Sequence, residues 1–136
     1  TLRHTRAHFA RAVMEGVAFL LNRNIEYIEK AGIPIYEIIS SGGGSRSPLW
    51  NQIKANVSKK PVVVLQNEEA ALLGDAILAG AASGIFPSIQ VGCQKMIAIK
   101  NKFTANKDAE NYVQPYKNYC NLEKILKNFF SQAYPM

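Results

Sequence analysis

The chain has 136 residues, of which 48% are apolar and 19% charged, and it carries a formal net charge of +6. Such a length and balance suit one folded domain with a real core and exclude a disordered tail, while no apolar run approaches the roughly 20 residues that span a bilayer. The two cysteines, Cys93 and Cys120, lack metal-ligand spacing and fit reduced thiols in a cytoplasmic protein.

The positive charge is dispersed. Arg3, Arg6 and Arg11 crowd the first segment with His4 and His8, and Lys100, Lys102, Lys107, Lys117, Lys124 and Lys127 are scattered over the last third. Without the aromatic-basic interleaving of a single-strand binder, this reads as solvated surface rather than a nucleic-acid groove. No signal peptide is visible, and a start on Thr1 leads us to expect an internal segment of a longer protein. Asn56-Val57-Ser58 spells a glycosylation acceptor, which without a secretory signal is read as chance.

Phe9, Val13, Val17, Leu21, Ile25 and Ile28 recur at steps of three or four, which predicts an amphipathic helix over 5–30. Ala31-Gly32-Ile33-Pro34 stops it. Residues 35–40 then read as a strand running into Gly42-Gly43-Gly44. Ser47 stands where an N-cap belongs and Pro48 at the first helical position, so a helix is expected over 48–58. Lys60-Pro61-Val62-Val63-Val64-Leu65 is a β-branched run with proline at its start, a buried-strand signal. Residues 70–83 form a helix rich in small side chains, which implies burial against the sheet or a surface along which two domains slide.

A shorter helix is expected over 88–99, then a polar loop over 100–107 around Phe103. Tyr112, Tyr116, Tyr119, Leu122, Leu126 and Phe129 give a final helical stripe, with a break near residue 114 imposed by Pro115. The α/β alternation favours parallel strands with crossovers. Two strands alone do not make a stable sheet, so partner strands are expected from outside the chain.

Little in the sequence suggests other chemistry. No Ser-His-Asp or Cys-His set can be assembled, and His4 and His8 lack a third metal ligand, so no catalytic or metal site is assigned. Glu68-Glu69 suits the dipole at the start of the 70–83 helix, and Arg11 is placed to pair with Glu15. The glycine segment is different. A strand, a glycine turn and a helix N-terminus together make an anion site, although the string is neither a Walker A loop nor Gly-x-Gly-x-x-Gly.

The string SGGGSRSPLWNQIKANVSKKPVV resembles the nucleotide-binding segment of the FGGY family of carbohydrate kinases, most of all its xylulose-kinase branch. EEAALLGDAILAGAASGIF resembles that family's interdomain helix, and FARAVMEGVAFLL the helix before the adenosine-binding strand. The three blocks keep family order and are strongest over 1–86, with 87–136 a more weakly matching helical segment. The resemblance implies an α/β fold, part of an actin-like (ribonuclease H-like) ATPase domain. Residues 1–136 would be the C-terminal part of the second, nucleotide-binding domain of an enzyme that uses ATP and Mg2+ to phosphorylate a sugar or polyol.

By the same resemblance Gly42, Gly43 and Gly44 would line the adenosine and α-phosphate, and Ser47 falls where some relatives place a nucleotide-contacting Asn. Ser45 and Arg46 would be neighbours of that site, and Gly74, Asp75 and Ala76 would lie on the interdomain helix. The family's catalytic aspartate and sugar-binding residues would lie upstream of Thr1. Two positions depart from the pattern: Asn56 stands where many relatives have Asp, and Asp75 where many have Ala. Nucleic-acid and membrane partners are not expected, whereas self-association through open sheet edges is. The alternatives are an actin-like ATP-binding module without kinase activity and a small basic nucleic-acid-binding domain.

Overall fold

A computed structural model describes residues 4–133. Thr1 and Arg3 lie outside the described residues. Helix α1 (Arg6–Lys30) leads to strand β1 (Ile38–Ser40), a 3-10 turn (Gly43–Arg46) and helix α2 (Pro48–Ser58). Strand β2 (Val62–Leu65) and helices α3 (Ala70–Ala82) and α4 (Ile89–Met96) follow. Strand β3 (Ile99–Phe103), a second 3-10 turn (Lys107–Tyr112) and helix α5 (Val113–Ala133) complete the order.

Local signals account for most boundaries. The His8 Nδ1 accepts the Thr5 backbone N–H at 3.1 Å and so closes the start of α1, which gives this histidine a capping role. At the far end Gly32 takes φ +88°, the left-handed conformation that stops a helix. Pro115 falls in the first turn of α5, where a missing N–H costs nothing. The expected break is the change from 3-10 turn to α-helix just before it.

Two expectations fail at the sheet. Residues 99–103 are a strand, not part of a polar loop, and α4 ends at Met96 rather than running to 99. In the sheet order β1-β2-β3, β1 and β2 are parallel, whereas β2 and β3 are antiparallel with Val62 opposite Phe103. Lys100 and Lys102 gave β3 a loop-like appearance, and such lysines are typical of edge strands protected from further pairing. The central strand explains itself: Val62, Val63 and Val64 are all buried, as expected of a strand covered on both faces. One of the missing partners thus comes from within the chain, while the outer edge of β1 has none among the described residues. Strand β1 is shorter than the expected 35–40 strand, because β2 begins at Val62 opposite Ile38 and offers residues 35–37 no partner.

The core gathers where α1, α2, the second 3-10 turn and α5 meet: Ala18, Phe19, Ile53, Val57 and Tyr112, with Met14, Tyr116 and Tyr119 against them. Burying a side chain such as Ile53, 1% exposed, contributes roughly 1.5–3 kcal/mol. The buried seam of α1 is rotated from the stripe read in the sequence. Ala18, Phe19, Asn22 and Ile25 are inside, and Phe9 and Val13 remain 75% and 63% exposed.

Helix α3 also departs from expectation, because only Leu73, Ile77 and Gly80 are buried, and Leu72 and Leu78 face outward. Its close packing is on α4 and Phe86 rather than flat on the sheet: a Cβ at Gly80 would lie 2.6 Å from the Phe86 ring, and one at Gly92 2.9 Å from it. Cys93 and Cys120 are free thiols, half-buried. Asn56 is buried and hydrogen-bonded to Gln52 and to the Asn106 backbone, which removes it as a glycosylation acceptor in this fold.

Candidate functional site

Strand β1 ends on the buried Ser40, and the chain turns sharply at Gly42 with φ +70° and ψ −166°, a conformation that favours glycine. The turn is fixed from beneath. Ser45 donates to the Gly42 carbonyl through both its backbone N–H (3.0 Å) and its Oγ (2.7 Å). Gly42 N–H donates in turn to the Glu68 carbonyl at 3.3 Å, tying the loop after β1 to the loop after β2. The two loops therefore share one ledge beyond the C-terminal ends of two parallel strands.

The three glycines are not equivalent. A Cβ at Gly42 or Gly43 would meet nothing within 4 Å, so the backbone there is open to an approaching molecule. At Gly44 a Cβ would come within 2.8 Å of the Trp50 ring. That ring cannot easily move aside, because Trp50 Nε1 donates to the Met14 carbonyl at 3.1 Å. Gly44 is thus required by packing.

Ser47 caps α2 as expected, accepting the Trp50 N–H at 3.2 Å. This bond and the missing N–H of Pro48 leave the helix end fewer donors for an anion than the motif alone implied. Arg46 pairs with Glu68 at 2.6 Å, and Lys100 joins the same carboxylate at 3.3 Å. Arg46, then Lys100, hold the Glu68 carboxyl below its ordinary range. Neither residue of Glu68-Glu69 caps α3 through its side chain, since Glu69 at the N-cap position makes no such bond.

A polar group below the ledge was not foreseen. Asn51 is completely buried; its Nδ2 donates to the Ser45 carbonyl at 2.7 Å, and its Oδ1 accepts Ser40 Oγ at 3.0 Å and Lys54 Nζ at 3.2 Å. Lys54 Nζ also donates to Ser40 Oγ at 2.9 Å and lies 4.7 Å from the centre of the Trp50 ring. Burial lowers the Lys54 ammonium from its ordinary value. Asn51, Ala55 and Ser58 share one face of α2 that only the fold shows to be buried, and no signal in the sequence set Asn51 apart from a solvated polar residue.

The remaining candidates lie elsewhere. Gly74, in the middle of α3, lines an apolar hollow of about 350 Å3 with Leu65, Leu73, Ile77 and Cys93. Asp75 and Ala76 are exposed, so the added charge meets no packing conflict here. Another hollow, of about 440 Å3, runs along the start of α1 by His4, His8 and Glu15. Among the described residues no three His, Cys, Asp or Glu side chains gather as a metal site, and no helix is long and apolar enough to cross a membrane.

A parallel pair of strands joined by a crossover helix, with a glycine turn at the C-terminal end of the first, is an α/β unit that fits part of an actin-like ATPase domain. Residues 1–83 match the model of the FGGY family of carbohydrate kinases, C-terminal domain, and the chain belongs to that family. It is 36% identical over 121 residues to a xylulose kinase of Bacillus subtilis, covering 89% of this chain and 24% of that protein. It is 45% identical over 89 residues to an L-fuculokinase of Escherichia coli, covering 65% of this chain and 19% of that protein. The crystal structure of xylulose kinase from Rhodospirillum rubrum superposes with a TM-score of 0.81 at 28% identity, covering 96% of this chain and 27% of that one. The chain therefore spans about a quarter of the length of the xylulose kinases it matches.

Proposed function

We propose that this chain is the nucleotide-cradling part of a cytoplasmic carbohydrate kinase, which transfers the γ-phosphoryl group of ATP to a hydroxyl of a small sugar or polyol. The observation that carries this reading is the ledge at Gly42 and Gly43, where the backbone is open on one side and fixed on the other. It lies outside the C-terminal ends of parallel strands, where α/β sheets receive ligands. The two alternatives, a non-catalytic module and a nucleic-acid-binding domain, gain nothing from relatives named as sugar kinases.

The residues present fit a nucleotide. Gly42 and Gly43 would lie along the adenosine and α-phosphate with no side chain in the way, and Ser47 keeps its hydroxyl hydrogen for the ligand while accepting from Trp50. Gly44, Ser45 and Arg46 would support the ledge. ATP supplies the phosphoryl group and Mg2+ the neutralisation of its charge, and catalysis of such transfers is mostly positioning and charge stabilisation. No catalytic acid or base is assigned to this segment. The outward Leu72, Asp75, Ala76 and Leu78 of α3 suit a face that meets the other domain on closure, which excludes water from the reaction. The xylulose-kinase relatives make xylulose the first acceptor to assay.

The test is Gly43→Asp in the complete kinase. Gly43 is not among the glycines at positive φ and has open space around it, so the substitution should leave the fold intact. ATP affinity should fall at least about tenfold, or roughly 1.4 kcal/mol, with sugar affinity and melting temperature unchanged. A Gly43→Asp kinase that binds ATP like its parent would show the glycines to be only a turn.

A further inference from the structure

We infer that Asn51 is the positioning residue of the nucleotide ledge, with Ser40 and Lys54 holding it in place; this rests on the nucleotide reading above. Asn51 is completely buried inside α2, so it acts through another group. That group is the Ser45 carbonyl, which receives its Nδ2 at 2.7 Å. Ser45 in turn holds the Gly42 carbonyl with two donors, and Gly42 is the residue at which the chain bends into the ledge. One continuous path of hydrogen bonds thus runs from the end of β1, through α2, into the glycine turn.

The carboxamide suits this position chemically. Its oxygen accepts from Ser40 and Lys54 while its nitrogen donates to a carbonyl, and neither a carboxylate nor a hydrocarbon can do both. Lys54 makes no ion pair with a carboxylate among the described residues; its bonds are to the neutral Ser40 and Asn51 oxygens. A cation on Oδ1 polarises the amide and strengthens the bond that Nδ2 makes to the loop. Lys54 thereby transmits its charge to the ledge without approaching the ligand.

The decisive variant is Asn51→Asp in the complete kinase. The carboxylate keeps both incoming bonds and pairs with Lys54, so the fold is retained, but it sets an oxygen lone pair against the Ser45 carbonyl. Calorimetric titration with a non-hydrolysable ATP analogue should show affinity reduced at least about tenfold, with sugar affinity unchanged. Amide hydrogen exchange over residues 42–46 should quicken in the absence of ligand, which a loss of general stability would not confine to that segment. Ser40→Ala and Lys54→Met remove one support each and should weaken the analogue about threefold; they decide the matter if Asn51→Asp does not fold. If Gly43→Asp weakens binding and these variants do not, the positioning role is overturned while the nucleotide reading stands. If Gly43→Asp has no effect either, the nucleotide reading itself fails.

Discussion

At the scale of single residues, three adjacent glycines are needed for different reasons. Gly42 is needed for its backbone angle, Gly44 for the indole above it, and Gly43 for neither. Gly44→Ala should therefore destabilise the protein by about 1–3 kcal/mol, as overpacking does. Because Trp50 is the only tryptophan in the chain, its emission should change in the same variant. Gly43→Ala should melt like the parent; equal losses at the two positions in thermal denaturation would contradict this division. Glu68 provides a pH test. Its folded pKa is lowered by Arg46 and Lys100, so its stabilising contribution is present above the unfolded carboxylate pKa and disappears as pH falls through the lowered folded value. The stability difference between the parent and Glu68→Gln should be largest near neutrality and vanish in acid.

At the scale of elements, α3 and α4 meet closely because two glycines make room for one ring. Gly80 and Gly92 both face Phe86, at distances that admit no Cβ. Exchanging an interior helical glycine for alanine normally stabilises by roughly 1 kcal/mol, yet Gly80→Ala should be destabilising here. In a Phe86→Ala background the sign should reverse, and a double-mutant cycle measures that coupling. A Gly80→Ala variant that is more stable in both backgrounds would mean that the ring moves aside freely.

At the scale of the whole molecule, the sheet has an open edge at β1 among the described residues, with Ile39 half exposed, and α1 presents Phe9, Val13 and Leu20 to solvent. An unpaired edge and exposed apolar surface both invite association. The isolated 136-residue chain should self-associate in sedimentation experiments, and Ile39→Lys should shift it towards monomer. It should also show no sugar phosphorylation at ordinary kinase rates of about 1–100 per second. A monodisperse, catalytically active monomer would contradict both expectations.

The sequence alone determined what depends on neighbouring residues. Ser47 and Pro48 start α2, Gly32 ends α1, and three consecutive valines form the buried strand, because caps, left-handed glycines and β-branched runs act within a few residues. The order of these signals also carried the family. Tertiary structure decided what depends on distant partners. Residues 99–103 became a strand only because β2 offered an edge, and two exposed lysines concealed that in the sequence. The buried side of α1 was set by Phe19 meeting Tyr112, Tyr116 and Tyr119, against a stripe that was nearly as apolar on the neighbouring side. Asn51 was illegible for the same reason: a polar residue in a helix is ordinarily solvated, and only the fold placed Ser40, Ser45 and Lys54 around it.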